Sequence, residues 1–144
     1  MRRSKLPAAW LVAVDFSPAS LRALDATLDW APPEADITVV HVVDTDLALR
    51  VDAAGGASAT DAIARMRSRA ERELALLADS RRGRRFETML VEGAPFAEIG
   101  KIASDLACDV IVIGARGTSP QDFLFGSTAE KVLRSARQPV LCIP

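Results

Sequence analysis

Five short apolar runs, rich in β-branched residues, alternate with segments of helical periodicity along this chain of 144 residues. The runs cover residues 10–14, 37–43, 86–91, 110–113 and 139–143. Nearly continuous apolar runs are typical of strands that are covered on both faces, as in parallel sheets. The order βαβαβαβαβ therefore predicts an α/β fold, with a five-stranded parallel open twisted sheet and helices on both faces. We expect residues 1–144 to form a single domain.

The segments between these runs carry ordinary helix signals. Ser17 is a good N-cap and Pro18 suits the first helical position, so a helix is predicted to begin there and to end before Pro32. Apolar spacing predicts further helices over 60–80, 95–106 and 129–136. The stretch 44–59 lacks such spacing and contains Ala-Ala-Gly-Gly-Ala-Ser-Ala. We predict a mobile loop there, with at most one helical turn.

Composition and charge exclude several classes of function. Apolar residues make up 49% of the chain, charged residues 26%, and the net charge is −1. This balance is typical of a globular protein and provides no field that would attract nucleic acid or an anionic membrane. The first apolar run ends at Asp15 without a small-residue cleavage site, which favours a strand over a signal peptide. Since no apolar stretch approaches the length of a membrane span, we expect no membrane association and a cytoplasmic location.

The stretch 114–128 joins the fourth predicted strand to the last predicted helix and carries Gly114, Gly117 and Gly126. Glycine lets the backbone approach a ligand closely, and the first amides of a helix have no partner inside it. Together with the helix dipole, those amides favour a phosphate. The junction therefore predicts a site for an anionic ligand, although its spacing matches neither the common dinucleotide fingerprint nor a P-loop.

Two polar residues of this stretch each have two interpretations. The sequence Ser127-Thr-Ala-Glu130 has the form of a capping box, in which the Ser127 hydroxyl caps the amide of Glu130. A serine at a helix N-terminus is equally suited to hold a phosphate. Arg116 either faces that phosphate as a cation or is an ordinary exposed loop residue.

Several motifs, in order along the chain, resemble those of the universal stress protein family. They are Val12-Ala-Val-Asp15-Phe-Ser, His41-Val42-Val43, Val91-Glu-Gly93-Ala-Pro95, the glycine stretch with Ser127, and Arg137-Gln-Pro139-Val140-Leu141. The family loop has one residue more between its second and third glycines, where this chain has eight residues. The resemblance implies a Rossmann-like, adenine nucleotide alpha hydrolase-like sheet in a single-domain protein of the ATP-binding type, which acts in stress response.

The resemblance also implies a ligand, its site and its partners. ATP, with Mg²⁺ as a candidate companion, would bind at the carboxyl ends of the first and fourth strands. Its phosphates would rest on the amides of Gly117, Gly126, Ser127 and Thr128. The implied nucleotide-binding residues are Ala13, Asp15, Val42, Ile113, Gly114, Arg116, Gly117, Gly126, Ser127 and Thr128. Asp15 would lie near the ribose or adenine, with a capping role as the alternative; Val42 and Ile113 would wall the adenine pocket or serve the core alone. A homodimer through the last strand and an unidentified protein partner complete these expectations.

Other functions stay open. A universal stress protein that acts only through protein contacts would bind no nucleotide, and the shorter loop favours it. An ATP-pyrophosphatase-type enzyme would need a Ser-Gly-Gly-x-Asp-Ser loop after the first strand, where this chain has Asp15-Phe-Ser-Pro-Ala-Ser. A phosphoacceptor receiver domain would need clustered acids there. We expect no catalytic residues, and at most slow ATP hydrolysis, because the sequence offers no evident nucleophile–base pair.

The remaining chemistry-bearing residues have plain interpretations. His41, the single histidine, lies among valines in a strand and is predicted to be structural rather than catalytic. Cys108 and Cys142 lack CxxC spacing and histidine companions, so no metal site is expected. The arginine-rich run 81–85 has no interleaved aromatic residues and is predicted to be a solvated turn rather than a nucleic-acid contact.

Overall fold

The computed structural model describes residues 5–55, 58–116 and 125–144. Within those ranges the strands are β1 (Ala9–Ala13), β2 (Asp36–Asp44), β3 (Glu87–Gly93), β4 (Val110–Gly114) and β5 (Val140–Ile143). The helices are α1 (Pro18–Trp30), α2 (Thr45–Gly55), α3 (Ala59–Ser80), α4 (Pro95–Asp105) and α5 (Ser127–Ser135). None of these helices has both the length and the apolar character needed to span a bilayer.

The strands form one sheet in the order β3-β2-β1-β4-β5, and every neighbouring pair is parallel. The chain moves outward from β1 to β3 on one side, then crosses back to add β4 and β5 on the other. The predicted five-stranded parallel sheet is thus confirmed. Strand order reverses between β1 and β4, and open α/β sheets bind ligands beyond the carboxyl ends of the strands at such a point.

The sheet is covered on both faces, as the continuous apolar runs predicted. Leu11 and Val12 are adjacent in β1, so they point to opposite faces, and both are fully buried. The core on one face joins Val12 to Leu24 of α1. The core on the other face joins Leu11 to Ile99 of α4. The strand ends between these two cores are therefore the part of the sheet that remains accessible to a ligand.

The stretch 44–59 is the main correction to the predicted elements. Residues 45–55 form α2 where the sequence predicted a mobile loop. Asp44 begins this helix, since its Oδ1 accepts hydrogen bonds from the amides of Asp46 (3.0 Å) and Leu47 (3.1 Å). Ala48, within this helix, is fully buried. Alanine contributes little to hydrophobic periodicity, yet it has the highest helix propensity. The apolar spacing of the sequence therefore gave no sign of α2.

The arginine-rich run holds two elements together and is not simply solvated. The Arg84 guanidinium donates to the carbonyl oxygens of Ala31, at 2.7 Å, and Pro32, just beyond the end of α1. Nε of Arg81 lies 2.7 Å from Oδ1 of Asp25 on the same helix. The prediction of a solvated turn is therefore wrong for Arg84, because the last carbonyls of a helix need donors from outside it.

Candidate functional site

A cleft of about 380 Å³ lies beyond the carboxyl ends of β1, β2 and β4. This position is the point of strand-order reversal, and the volume falls within the range of small-molecule sites. The cleft is lined by Ala13, Val14, Asp15, Ser20, Val40, His41, Val42, Asp44, Leu47, Met66, Pro95, Ile99, Ile113, Gly114, Arg116, Gly126, Ser127, Thr128 and Ala129.

One side of the cleft is apolar. Val42 of β2 and Ile113 of β4 lie at the strand ends, and Ile99 of α4 packs in the same core. Leu47 of α2 and Met66 of α3 complete this surface. A wall of this kind suits a flat, largely apolar ring. Val42 and Ile113 belong to the core and also line the cleft.

The turn between β1 and α1 satisfies most of its own polar groups. Oδ1 of Asp15 accepts hydrogen bonds from the Ser17 amide, at 3.0 Å, and from the Ser17 hydroxyl. The Ser17 oxygen in turn accepts from the Ser20 amide at 3.3 Å, which caps α1 as predicted. The capping interpretation of Asp15 is thus present in the structure. Its other oxygen, Oδ2, receives no hydrogen bond from any residue that the structure describes.

His41 lies beside this turn. Its Nδ1 is 2.7 Å from the carbonyl oxygen of Val14, and the Phe16 ring packs against it with centroids 4.7 Å apart. Phe16 has a φ of 65°, a left-handed conformation that bulky residues rarely adopt. Burial lowers the pKa of His41, against the raising effects of the Val14 carbonyl and the Asp15 carboxylate. The contacts are structural, as predicted, but the ring also lines the cleft, which the sequence did not predict.

Gly114 ends β4 where the start of α1 crosses it. A Cβ atom at this position would lie 2.7 Å from the amide nitrogen of Ser20 and 2.8 Å from the carbonyl carbon of Ala19. Neither backbone atom can move without shifting the helix. Glycine is therefore required for the packing of α1 on β4, whatever the site binds.

Among the described residues, none provides a side-chain cap for α5. Gly126 is its N-cap, and the first intrahelical hydrogen bond runs from the Glu130 amide to the Gly126 carbonyl at 3.0 Å. The amides of Ser127, Thr128 and Ala129 therefore precede helical bonding, and no described residue accepts from them. All three residues line the cleft.

Two predictions about this junction are wrong. Ser127 is the first residue of the helix, so its side chain does not cap the Glu130 amide; Glu130 pairs with Arg134 instead, at 2.9 Å. A capping side chain must come from the residue before the helix, which is Gly126 here. The Gly126 amide donates to the Ala115 carbonyl at 2.7 Å, so it is not open to a phosphate as predicted.

The predicted site residues converge on the cleft. Those that line it are Ala13, Asp15, Val42, Ile113, Gly114, Arg116, Gly126, Ser127 and Thr128. Gly117 lies outside the described residues. The sequence missed His41, although the strand-end rule that found Val42 applies to its neighbour as well. It could not have found Leu47, Met66 and Ile99, because they lie on helices whose position over the sheet is set by packing and not by a local pattern.

Metal and thiol chemistry find little support in the described part of the chain. No three histidine, cysteine, aspartate or glutamate side chains lie together there as candidate metal ligands. Cys108 and Cys142 are both free thiols. Burial raises the pKa of each, and the Asp109 carboxylate adds to this at Cys108. A raised pKa disfavours the thiolate, which is the reactive form of cysteine.

An open parallel sheet with a cleft at its strand-order reversal defines a doubly wound α/β protein, a class in which ligands bind at that point. The sequence pattern described as the Universal stress protein family matches residues 10–144. The chain therefore belongs to the universal stress protein family, in agreement with the motifs.

Individual proteins show the same likeness. YxiE from Bacillus subtilis, a universal stress protein, is 29% identical over 142 residues, which cover 92% of this chain and 96% of that protein. Universal stress protein MJ0577 from Methanocaldococcus jannaschii is 37% identical over 62 residues, which cover 42% of this chain and 38% of that protein.

Solved structures share the fold. UspA from Lactobacillus plantarum aligns with a TM-score of 0.82 at 24% identity, over 98% of this chain and 100% of that chain. A universal stress protein from Archaeoglobus fulgidus in complex with dAMP aligns at 0.57 with 24% identity, over 97% and 98% of the two chains. A universal stress protein in complex with cAMP aligns at 0.59 with 20% identity, over 97% and 98%.

Proposed function

We propose that this protein binds an adenine nucleotide, ATP in the first place, in the strand-end cleft and acts in stress response through a protein partner. The observation that carries the proposal is the group of three amides at the start of α5, from which no described residue accepts, on residues that line a cleft with an apolar part. Backbone amides at a helix N-terminus favour phosphate through hydrogen bonding and the helix dipole. The dAMP and cAMP complexes of two proteins of this fold support the same ligand class.

The phosphates would rest on the amides of Ser127, Thr128 and Ala129. This arrangement differs from the sequence prediction, in which Gly126 was a donor. Arg116 lines the cleft beside this junction and would add a positive charge. Mg²⁺ would accompany the phosphates and be held largely by their oxygens, as is usual for this ion.

The base would occupy the apolar side of the cleft. Val42 and Ile113 would contact it from the strand ends, and Met66 would contact it from α3. Asp15 follows β1, the strand between β2 and β4, and lines the cleft. It is therefore the acidic side chain placed to meet the ribose.

The decisive experiment replaces Thr128, the second residue of α5, with Asp and with Asn. An aspartate at this position favours the helix through its dipole by about 0.3–1 kcal/mol. The same carboxylate would repel a phosphate bound to the adjacent amides, at an interaction energy that exceeds the roughly 1.4 kcal/mol of a tenfold affinity change. Asn has nearly the same shape and no charge, so it is the matched control.

Calorimetric titration with ATP and Mg²⁺ measures the outcome. We expect Thr128→Asp to bind at least about tenfold more weakly than Thr128→Asn, while its thermal stability is equal or higher. Because the expected changes in ATP affinity and in thermal stability have opposite signs, weaker binding cannot be attributed to loss of folding. Equal affinity of the two folded variants would show that the phosphates do not lie at α5.

A second candidate function is a universal stress protein that works by protein contacts alone. The engaged amide of Gly126 favours it, because one donor expected for a phosphate is already bonded to Ala115. Heat release and chromatography of the purified protein distinguish the two functions. Co-purified nucleotide supports the first, whereas an empty protein that also fails to bind millimolar ATP supports the second. Hydrolysis, expected to be slow at most, is measured as phosphate release from the same sample.

We also propose that two copies associate through β5. This strand is at the edge of the sheet and pairs with β4 on one side. All four of its residues, Val140–Ile143, are half-buried, and an apolar edge strand is a template for pairing with a second chain. Light scattering that gives the monomer mass at tens of micromolar protein would contradict the dimer. The cytoplasmic location stays a prediction.

A further inference from the structure

The His41 imidazole has a fixed tautomer. Its Nδ1 lies 2.7 Å from the Val14 carbonyl oxygen, which can only accept a hydrogen bond. In the neutral ring Nδ1 therefore carries the hydrogen, and Nε2 is an acceptor. The Phe16 ring, packed at 4.7 Å between centroids, limits rotation of the imidazole plane.

The other nitrogen of this ring, Nε2, is accessible, and it belongs to a residue that lines the cleft. No described residue hydrogen-bonds to Nε2 of His41, and the described residues include no buried side-chain nitrogen without a partner. Nε2 must therefore be accessible to solvent, and His41 is one of the residues that line the cleft.

A second acceptor lies beside it. Asp15 directly follows Val14, the residue to which His41 is bonded, and its charge acts on the imidazole. Oδ1 of Asp15 is engaged by Ser17, whereas Oδ2 receives no hydrogen bond from the described residues. This part of the wall thus presents two acceptors, Nε2 of His41 and Oδ2 of Asp15. Its chemical complement is a ligand group with two adjacent hydroxyl donors.

We propose that Nε2 of His41 accepts a hydrogen bond from a ribose hydroxyl, beside the Asp15 carboxylate, and so makes the cleft prefer ribonucleotides to deoxyribonucleotides. The inference rests on the proposed function, because it needs a nucleotide in the cleft. A neutral hydrogen bond of this kind corresponds to a preference of about threefold to tenfold.

Protonation would abolish this preference, because Nε2 then becomes a donor. Asp15 is the charge that acts on the His41 pKa, and burial is the larger effect, which lowers it. Among the other charged groups nearby, Arg116 lines the same cleft, whereas two are engaged elsewhere. Asp44 caps α2, and Arg67 of α3 pairs with Glu92 of β3 at 3.0 Å. The neutral form of His41, and with it the ribose preference, is therefore favoured at neutral pH.

The test compares ATP with its 2′-deoxy and 3′-deoxy analogues in wild type and two variants. In His41→Asn the amide nitrogen can still donate to Val14, but the Nε2 acceptor is lost. In His41→Gln the amide oxygen can occupy the Nε2 position without titrating. We expect wild type and His41→Gln to prefer ATP over at least one analogue, and His41→Asn to bind all three within about twofold.

A second readout needs no variant. Since the chain has one histidine, its imidazole proton signals are unambiguous in an NMR titration. The three nucleotides carry the same phosphate charge, so a lower titration midpoint with ATP than with a deoxy analogue reports the hydroxyl contact alone.

Equal midpoints with all three nucleotides, or an unchanged ATP preference in folded His41→Asn, would overturn the inference. If wild type binds none of them, the proposed function fails and the inference fails with it. If wild type binds ATP and Thr128→Asp does not, but His41→Asn keeps the ribose preference, only the inference fails.

Discussion

Two helices, α1 and α5, begin at the same cleft and differ in how their first amides are satisfied. At α1 the Ser17 hydroxyl accepts from the Ser20 amide, Asp15 accepts from the Ser17 amide, and Pro18 has no amide hydrogen. At α5 the N-cap is Gly126, which has no side chain to offer. At α1 the local turn engages the Ser17 and Ser20 amides, whereas no described residue accepts from the Ser127, Thr128 or Ala129 amides of α5.

The two helix starts thus differ in how far described residues satisfy their first amides. Helix N-termini usually receive a cap, because uncapped amides cost stability unless water or a ligand satisfies them. Of the two helix starts, α5 is therefore the one at which a bound anion would gain the most hydrogen bonds from backbone amides. The α1 start lies at the same cleft through Ser20, and the difference between the two helix starts can be tested by mutation.

The largest effect is expected where α1 meets β4. Gly114→Ala places a Cβ atom 2.7 Å from the Ser20 amide nitrogen, so the start of α1 must shift. We expect a loss of about 1–3 kcal/mol in the free energy of unfolding, as for other overpacked sites. Urea unfolding followed by circular dichroism measures it.

Gly100→Ala is the matched control for this substitution. Gly100 lies within α4, and a Cβ atom there meets nothing within 4 Å. Alanine should stabilise the helix at this position by about 0.5–1 kcal/mol. If both alanine variants are equally stable, the close packing of α1 on β4 is not what requires glycine.

A smaller loss is expected from removal of the α1 cap. Ser17→Ala leaves the Ser20 amide without its acceptor and deprives Asp15 of a hydroxyl donor. The typical cost of a lost serine cap is about 1 kcal/mol. Chemical denaturation gives the number, and a change below about 0.3 kcal/mol would mean that water replaces the cap.

Ser127→Ala should have less effect on stability than Ser17→Ala. Because Ser127 is inside the helix and caps nothing, we expect a change within about 0.5 kcal/mol. Its amide stays in place, so ATP binding should persist unless the hydroxyl also contacts phosphate. A loss as large as that of Ser17→Ala would restore the capping box that the sequence predicted.

The pH dependence of stability near neutral pH should come from His41, which lies beside the turn that leads into α1. The folded-state pKa of His41 lies below its ordinary value of 6.5, so the unfolded chain takes up a proton first as the pH falls. The stability contribution is complete above pH 6.5 and is lost as the pH falls through the folded-state pKa. His41→Asn, which does not titrate, should show a flatter profile in denaturant unfolding between about pH 8 and pH 5.

Most of the fold could be predicted because each strand carries its own signal. The β4 run, 110–113, is apolar and β-branched throughout, which is what burial on both faces demands. Ser17 and Pro18 marked the start of α1 by local chemistry alone. The order of strands and helices predicts a parallel sheet, and such sheets bind ligands at the carboxyl ends of their strands. The location of the candidate site could therefore be predicted as well.

The parts that could not be predicted depend on contacts distant in sequence or on the exact start of a helix. The packing role of Gly114 arises from Ser20, which is remote in the chain. The prediction of a capping box was wrong because the sequence around Ser127 is compatible with a helix that starts at either of two neighbouring residues. The position of His41 in the cleft depends on its bond to Val14, a contact between two strands.

The hydrogen bond from the Gly126 amide to the Ala115 carbonyl, at 2.7 Å, also bears on how this family can vary in length. It joins the two ends of the stretch that connects β4 to α5, so their separation is set by the bond and not by the number of residues between them. The entropy of closing a loop changes very little when one residue is removed. Evolution can therefore shorten or lengthen this connection while the start of α5, and the amides that it presents, stay in register with the sheet.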